Sequence, residues 1–377
     1  MQLERLILQG FRNLHGPDGV LQWRPHPRFN LIVGDNGQGK TNLLEAVALL
    51  AGLRSFRANK LSECIAFSAE QASISAIVAG QAGPRQLGLG LSHGHRRLMV
   101  DGKTVSAASA FVGNLSAVVF TTQDLQLPHA EPEARRRWLD RMVFGHQPAH
   151  LDELRRYEQA LASRNALLRR HALGQVRIDP AMLDVYDTLL ARHGTLVMQR
   201  RFEILSDFAP KLAQAFVQIA APGLDAHVRY LLKDPKAGDE AGLLQALTDR
   251  RTRDLAAGHT TVGPHRDDVG FDLLGRPAHQ HASQGQCRAL VLACKIAEIT
   301  SIEATLGEAP LLLLDDVSSE LDATRNAALM RLLDELGGQV VVTTTDAKHI
   351  AVAAPRQIFR VQSGQFLDDG AHDEVST

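Results

Sequence analysis

The stretch that most constrains the fold is Gly34-Asp35-Asn36-Gly37-Gln38-Gly39-Lys40-Thr41. An apolar run, Phe29–Val33, precedes it. Thr41–Leu53 follows, with Leu43, Leu44, Val47, Ala48 and Leu50 at helical spacing. A buried strand, a glycine-rich turn and a helix in that order make a phosphate loop, and the loop requires an α/β sheet to carry it. Glycines let backbone N–H groups turn toward a phosphate without Cβ clashes, and the helix N-terminus adds partial positive charge. Lys40 is expected to reach the β- and γ-phosphate oxygens, and Thr41 Oγ to coordinate Mg²⁺. The loop therefore predicts ATP and Mg²⁺ as ligands.

A second half of the site lies far along the chain. Leu311-Leu312-Leu313-Leu314-Asp315 reads as a buried strand ending in a carboxylate that can hold Mg²⁺, with Asp316 placed to orient or deprotonate a water. Ser283-Gln284-Gly285-Gln286 opens a helix predicted over Gly285–Leu306, and a small polar residue with glycine at a helix start builds an anion site. Gln123 follows another strand, Val118–Phe120.

Between these motifs the texture is helical, with Arg135–Val143, Leu151–Leu173, Ala181–Phe208 and Pro210–Ile219 as amphipathic segments. The expected fold is a mixed-sheet nucleotide head built from residues 1–127 and 254–377, with an inserted, mainly helical lobe over 128–253. The formal net charge of −1 gives no bulk attraction to nucleic acid, so any such contact needs a local patch. Three cysteines without a CxxC pair argue against a disulfide framework and for a reducing compartment. No signal-peptide core or membrane span is evident, which predicts a cytosolic protein. His279 and His281 find no third ligand, and solvated loop positions explain them better than a metal.

The ordered set of phosphate loop, Gln123, Ser-Gln-Gly-Gln, acidic strand and Glu320-Leu321-Asp322 resembles the ABC-type ATPases. More closely, the chain resembles the RecF family of bacterial recombination mediators, related to SMC proteins. The resemblance rests on Gly10-Phe11-Arg12-Asn13, Gly34–Asn42, Ser55-Phe56-Arg57, Arg135–Asp140, Thr261–Asp268, Ser283–Gln286 and Leu313–Asp322. It implies an ATP-driven homodimer on double-stranded or gapped DNA, slow DNA-stimulated ATP hydrolysis, RecO- and RecR-type partners, and roles in repair, replication and the SOS response. It also implies that Arg12, Asn13 and Asn42 join the nucleotide contacts. Ser283, Gly285 and Gln286 would serve the nucleotide of the opposite subunit, and Gln123 would link Mg²⁺ to the inserted lobe.

Two departures from ABC transporters point to weak hydrolysis: Asp316 stands where glutamate is usual, and Thr343-Thr344-Thr345 stands where a switch histidine is usual. There is no room for a long coiled-coil arm. A transporter-type ABC subunit and a small-molecule kinase are the competing readings. For DNA, the candidates are Arg54 and Arg57, Arg135–Arg137 with Arg141, Arg169-Arg170, Arg200-Arg201, and Arg250, Arg251 and Arg253, because arginines neutralise phosphates whatever the sequence.

Overall fold

The computed structural model describes residues 1–377 except 59, 82, 221–222, 318–322, 336, 351, 353 and 374–377. The strands in chain order are β1 (Gln2–Gln9), β2 (Val20–Trp23), β3 (Phe29–Val33), β4 (Gln71–Gly80) and β5 (Gly83–Ser92). Then come β6 (His95–Val100), β7 (Lys103–Val105), β8 (Ala117–Thr121), β9 (Ala226–Leu231) and β10 (Asp268–Leu273). The last are β11 (Arg276–Pro277), β12 (Leu311–Asp315), β13 (Val340–Thr344), β14 (Arg356–Gln362) and β15 (Gln365–Asp373). The contacts divide the chain into two compact units. One holds 1–126, 215–222 and 284–377, and the other holds 127–214 and 223–283.

The first unit contains two six-stranded sheets. One has the order β15-β14-β3-β13-β12-β8 and is parallel except for β15. Its central strands are buried almost from end to end, β13 wholly so, as expected of a sheet covered on both faces. The other sheet, β2-β1-β4-β5-β6-β7, is antiparallel and alternates. Leu3, Leu6, Leu8, Ile74, Ala76, Val78, Leu87, Leu89 and Leu91 face its core. Asp101 and Gly102, at φ +50° and +75°, make the tight turn expected from that dipeptide between β6 and β7. Gln339 joins the two sheets: its Oε1 accepts from Leu3 N at 2.7 Å, and its Nε2 donates to the carbonyls of Leu3 (3.0 Å) and His26 (2.9 Å). A buried amide so fully used leaves no polar group unsatisfied.

The second unit packs its helices with a small antiparallel sheet, β11-β10-β9. Trp138 lies at its centre, fully buried, edge-on to Phe208 at 5.6 Å and beside Phe271 at 5.4 Å. Here the sequence reading needs two corrections. Residues 254–283, assigned there to the nucleotide head, pack in this unit: β10 finds its pairing partner in β9, and buried Asp254 accepts from Arg164 at 2.7 Å. Second, one helix spans Pro180–Ile219, without a break at Pro210. A mid-helix proline opposes this by about 3 kcal/mol. Burial of Ile204, Leu205, Phe208, Leu212, Ala215 and Phe216 along one face outweighs that penalty. Among the described residues no helix is long and apolar enough to cross a membrane. All three cysteines are buried and free.

Candidate nucleotide site

β3 delivers the chain to Gly34, and the loop turns into the helix Lys40–Gly52. Gly39 has φ +114°, and a Cβ there would stand 2.9 Å from both Asn13 Oδ1 and Leu14 Cδ2, so this position requires glycine. Lys40 is buried, and its Nζ donates to the carbonyls of Gly34 (2.5 Å) and Asp35 (2.9 Å). Burial lowers its pKa, while Asp316, Asp315 and Asp35 pull the other way. The ammonium thus sits inside the loop, on carbonyls that phosphate oxygens can replace. Asp35, Asn36 and Gly37 are the exposed tip.

The two halves predicted from sequence meet at Thr41. Its Oγ1 donates to Asp315 Oδ1 at 2.8 Å. A hydroxyl and a carboxylate converging on one point suit Mg²⁺, a hard cation that takes one or two protein oxygens and fills its shell with phosphate and water. Among the described residues no group of three or more His, Cys, Asp or Glu could hold a metal by itself. Asp316 follows at φ +52°, a backbone region that non-glycine residues seldom occupy. Gln123 is exposed on the turn after β8, and the pairing Thr121↔Asp315 sets that turn beside the acidic strand end.

Asn13 and Asn42 flank the loop. Asn42 donates to Asn13 Oδ1 at 2.7 Å and accepts from Arg57 Nη1 at 2.8 Å, and Asn13 Nδ2 lies 3.4 Å from Gln38 O. Arg12 is otherwise engaged. Its guanidinium grips buried Glu45 of the loop helix through two 2.8 Å bonds and reaches Glu63 O at 2.7 Å. Glu45 also accepts from Ser55, so Gly-Phe-Arg-Asn and Ser-Phe-Arg brace the helix that carries Lys40 and Thr41.

One support was missed in the sequence. The β14–β15 turn, Ser363-Gly364 at φ +50° and +83°, donates Ser363 N to Gln38 Oε1 (2.5 Å) and Gly364 N to Gln38 O (2.9 Å). A Ser-Gly pair between alternating segments is a hairpin signal.

Ser283, Gly285 and Gln286 stand on a different element, at the start of the helix Gln284–Leu306. Ser283 is exposed and the other two are half-buried. Ser319, Glu320, Leu321 and Asp322 lie outside the described residues.

Gly263-Pro264-His265-Arg266 lies within the second unit. Tyr157 OH contacts His265 Nδ1 at 2.6 Å, and His265 Nε2 contacts Thr260 O at 3.2 Å. A carbonyl can only accept, so Nε2 carries the proton and Tyr157 donates to Nδ1. Burial pushes His265 down to about 3. Its unfolded value is near 6.5. The unfolded chain therefore binds the proton first, and stability present above about pH 6.5 is lost as pH falls toward 3. Between pH 7.5 and 5.5 this residue should remove about 1.4 kcal/mol. Urea unfolding of the wild type and His265→Gln at both pH values measures the difference, and an equal drop in both proteins would refute it.

Several candidate DNA-binding arginines prove structural. Arg201 is buried on Asp140 through two 2.9 Å bonds, Arg135 clamps Asp268, and Arg136 donates to Asp267 O. Arg250 pairs with Asp234, and Arg251 with Asp184 and Asp187. Arg54, Arg57, Arg137, Arg141, Arg169, Arg170 and Arg253 remain exposed. Carboxylates hold Arg135, Arg201, Arg250 and Arg251, and a backbone carbonyl holds Arg136.

A mainly parallel sheet with a phosphate loop and an acidic strand end, an antiparallel sheet joined to it, and a Ser-Gln-Gly-Gln helix define an ABC-type nucleotide-binding head. Residues 2–366 match the RecF/RecN/SMC N terminal domain family. The DNA replication and repair protein RecF of Myxococcus xanthus (strain DK1622) is 42% identical over 362 residues, 94% of this chain and 93% of its own. That of Citrifermentans bemidjiense is 36% identical over 375 residues, 98% of this chain and 100% of its own. A solved structure of the recombination mediator protein RecF with ATP, in the RecFOR pathway, superposes with a TM-score of 0.86 at 28% identity over 97% of each chain. The Smc head domain of Pyrococcus furiosus shares the fold alone, at TM-score 0.54 and 15% identity. The chain belongs to the RecF family. These relatives disfavour the transporter alternative.

Proposed function

We propose that the chain is an ATP-dependent DNA-binding protein of recombinational repair and replication-fork maintenance, acting in the cytoplasm. The observation that carries this is the 2.8 Å Thr41–Asp315 bond at a phosphate loop, in a chain akin along nearly its whole length to RecF. ATP binds one head through Gly34–Thr41, with Asn13 and Asn42 bracing the loop, and Mg²⁺ is held by Thr41 and Asp315 with Gln123 alongside. A second copy closes over the nucleotide with its Ser283, Gly285 and Gln286. Two heads joined this way hold double-stranded or gapped DNA. Hydrolysis, assisted by Asp316 and stimulated by DNA, then opens the pair. It is slow, because the shorter Asp316 replaces glutamate and no switch histidine follows β13. Acting in this way, the protein helps load recombinase together with RecO- and RecR-type partners.

Sedimentation with and without ATP and duplex DNA tests this. The expected result is a dimer that needs ATP and is favoured by duplex; a monomer indifferent to both overturns it. Ser283→Ala should leave ATP affinity of the monomer within about twofold while weakening ATP-driven dimerisation roughly tenfold, as loss of one charge-assisted hydrogen bond requires. Wild-type dimerisation by that variant would refute the shared site.

A further inference from the structure

The hydroxyl of Thr343 touches both acids of the nucleotide site, and no phosphate-loop or acidic-strand motif calls for it. Thr343 lies near the end of β13 and is fully buried. Its Oγ1 donates to Asp315 Oδ1 at 2.9 Å and accepts from the Asp316 N–H at 3.0 Å. One hydroxyl proton aimed at the carboxylate leaves the lone pairs for the amide. β12 and β13 pair in parallel with Asp315 opposite Thr343, so a core strand supplies the hydroxyl. Its three neighbours, Val340, Val341 and Val342, are all buried valines. Valine has nearly the same shape, so packing alone does not call for threonine here.

Two consequences follow from the geometry. Asp315 Oδ1 receives two hydroxyls, Thr41 and Thr343. When Thr41 turns to Mg²⁺, the Thr343 bond is the one left to keep the carboxylate aimed. Asp316 also holds a left-handed backbone, which a fixed acceptor for its N–H opposes relaxing.

We propose that Thr343 is the positioning residue for both acids, fixing the direction of Asp315 toward the metal and the backbone turn that aims Asp316. The inference rests on reading Asp315 and Asp316 as the Mg²⁺ and hydrolysis end of an ATP site. The full chain, its Thr343→Val and Thr343→Ser variants are titrated with a fluorescent, non-hydrolysed ATP analogue with and without Mg²⁺, alongside ATP turnover. Thr343→Val should bind the Mg²⁺-free analogue within twofold of wild type. It should lose about tenfold of the affinity that Mg²⁺ adds, the usual scale for removing a hydrogen bond behind a metal ligand. Turnover should fall about tenfold or more without a matching rise in KM, and Thr343→Ser should restore both. Should the valine variant not fold, Thr343→Ala reads the same gain. A merely structural residue would lower the melting temperature and leave the Mg²⁺ gain intact, which overturns the inference, as does failure of serine to restore it. A wild type with neither Mg²⁺ gain nor turnover overturns the underlying ATPase reading instead, and the inference with it.

Discussion

Exchanging Arg164 for methionine should destabilise the second unit by about 3–5 kcal/mol. Arg164 is completely buried. Its Nε donates to Asp187 at 2.7 Å, and its Nη1 donates to Asp254 at 2.7 Å and Thr260 at 2.8 Å. Both carboxylates are themselves fully buried. Removing the cation strands their charge in a medium that cannot solvate it, which is worse than never having placed the pair there. Asp187 keeps Arg251 at 2.8 Å, so most of the penalty falls on Asp254. Adding Asp254→Asn to the methionine variant should therefore recover at least 1 kcal/mol, a coupling that independent sites would not show. Trp138 is buried in this unit, and with Trp23→Phe as background its fluorescence reports urea unfolding there. A loss below about 1 kcal/mol would show that the cluster is not what holds these helices together.

Arg164 also marks where reading the sequence stops. A lone arginine in an amphipathic helix reads as part of a wet face, because the helical period gives its direction only relative to its neighbours. Its partners lie 23, 90 and 96 residues away, and no local pattern joins them. Arg135, Arg201, Arg250 and Arg251 are candidates for a DNA surface on the same ground: their charge is legible in the sequence, the carboxylates opposite them are not. The phosphate loop was legible because its chemistry is local, since the glycines, Lys40 and Thr41 must be contiguous to work. Asp315 was legible because a wholly apolar strand that ends in a carboxylate has few other uses. The support shells were not. The Ser363-Gly364 turn on Gln38, the Glu45 grip on Arg12 and the Thr343 hydroxyl on both acids join residues 27 to 326 positions apart. The placement of 254–283 failed similarly, because β10 is assigned by its partner β9 and not by its own sequence.

Lys40→Met should reduce ATP affinity about 100-fold or more and leave the fold intact. The magnitude follows from about 3 kcal/mol for hydrogen bonds from a charged donor to the phosphates. The second half of the expectation is less obvious. Without nucleotide, Lys40 Nζ is satisfied by Gly34 O and Asp35 O, so deleting it frees two carbonyls. Both belong to a loop open to water, Asp35 being exposed, so solvent can replace the lost donor. Burial already disfavours the ammonium, as its lowered pKa records, so its removal relieves a desolvation cost and leaves an unbranched chain of similar length in place. Stability and binding should then separate, with a melting temperature within about 2 °C of wild type and fluorescent-nucleotide titration showing the loss. A variant that bound ATP within tenfold of wild type would mean that the phosphates are held by the backbone N–H groups alone. In that event the 2.5 Å bond from Lys40 to Gly34 would be a brace of the empty loop, and the lysine would have no part in recognising nucleotide.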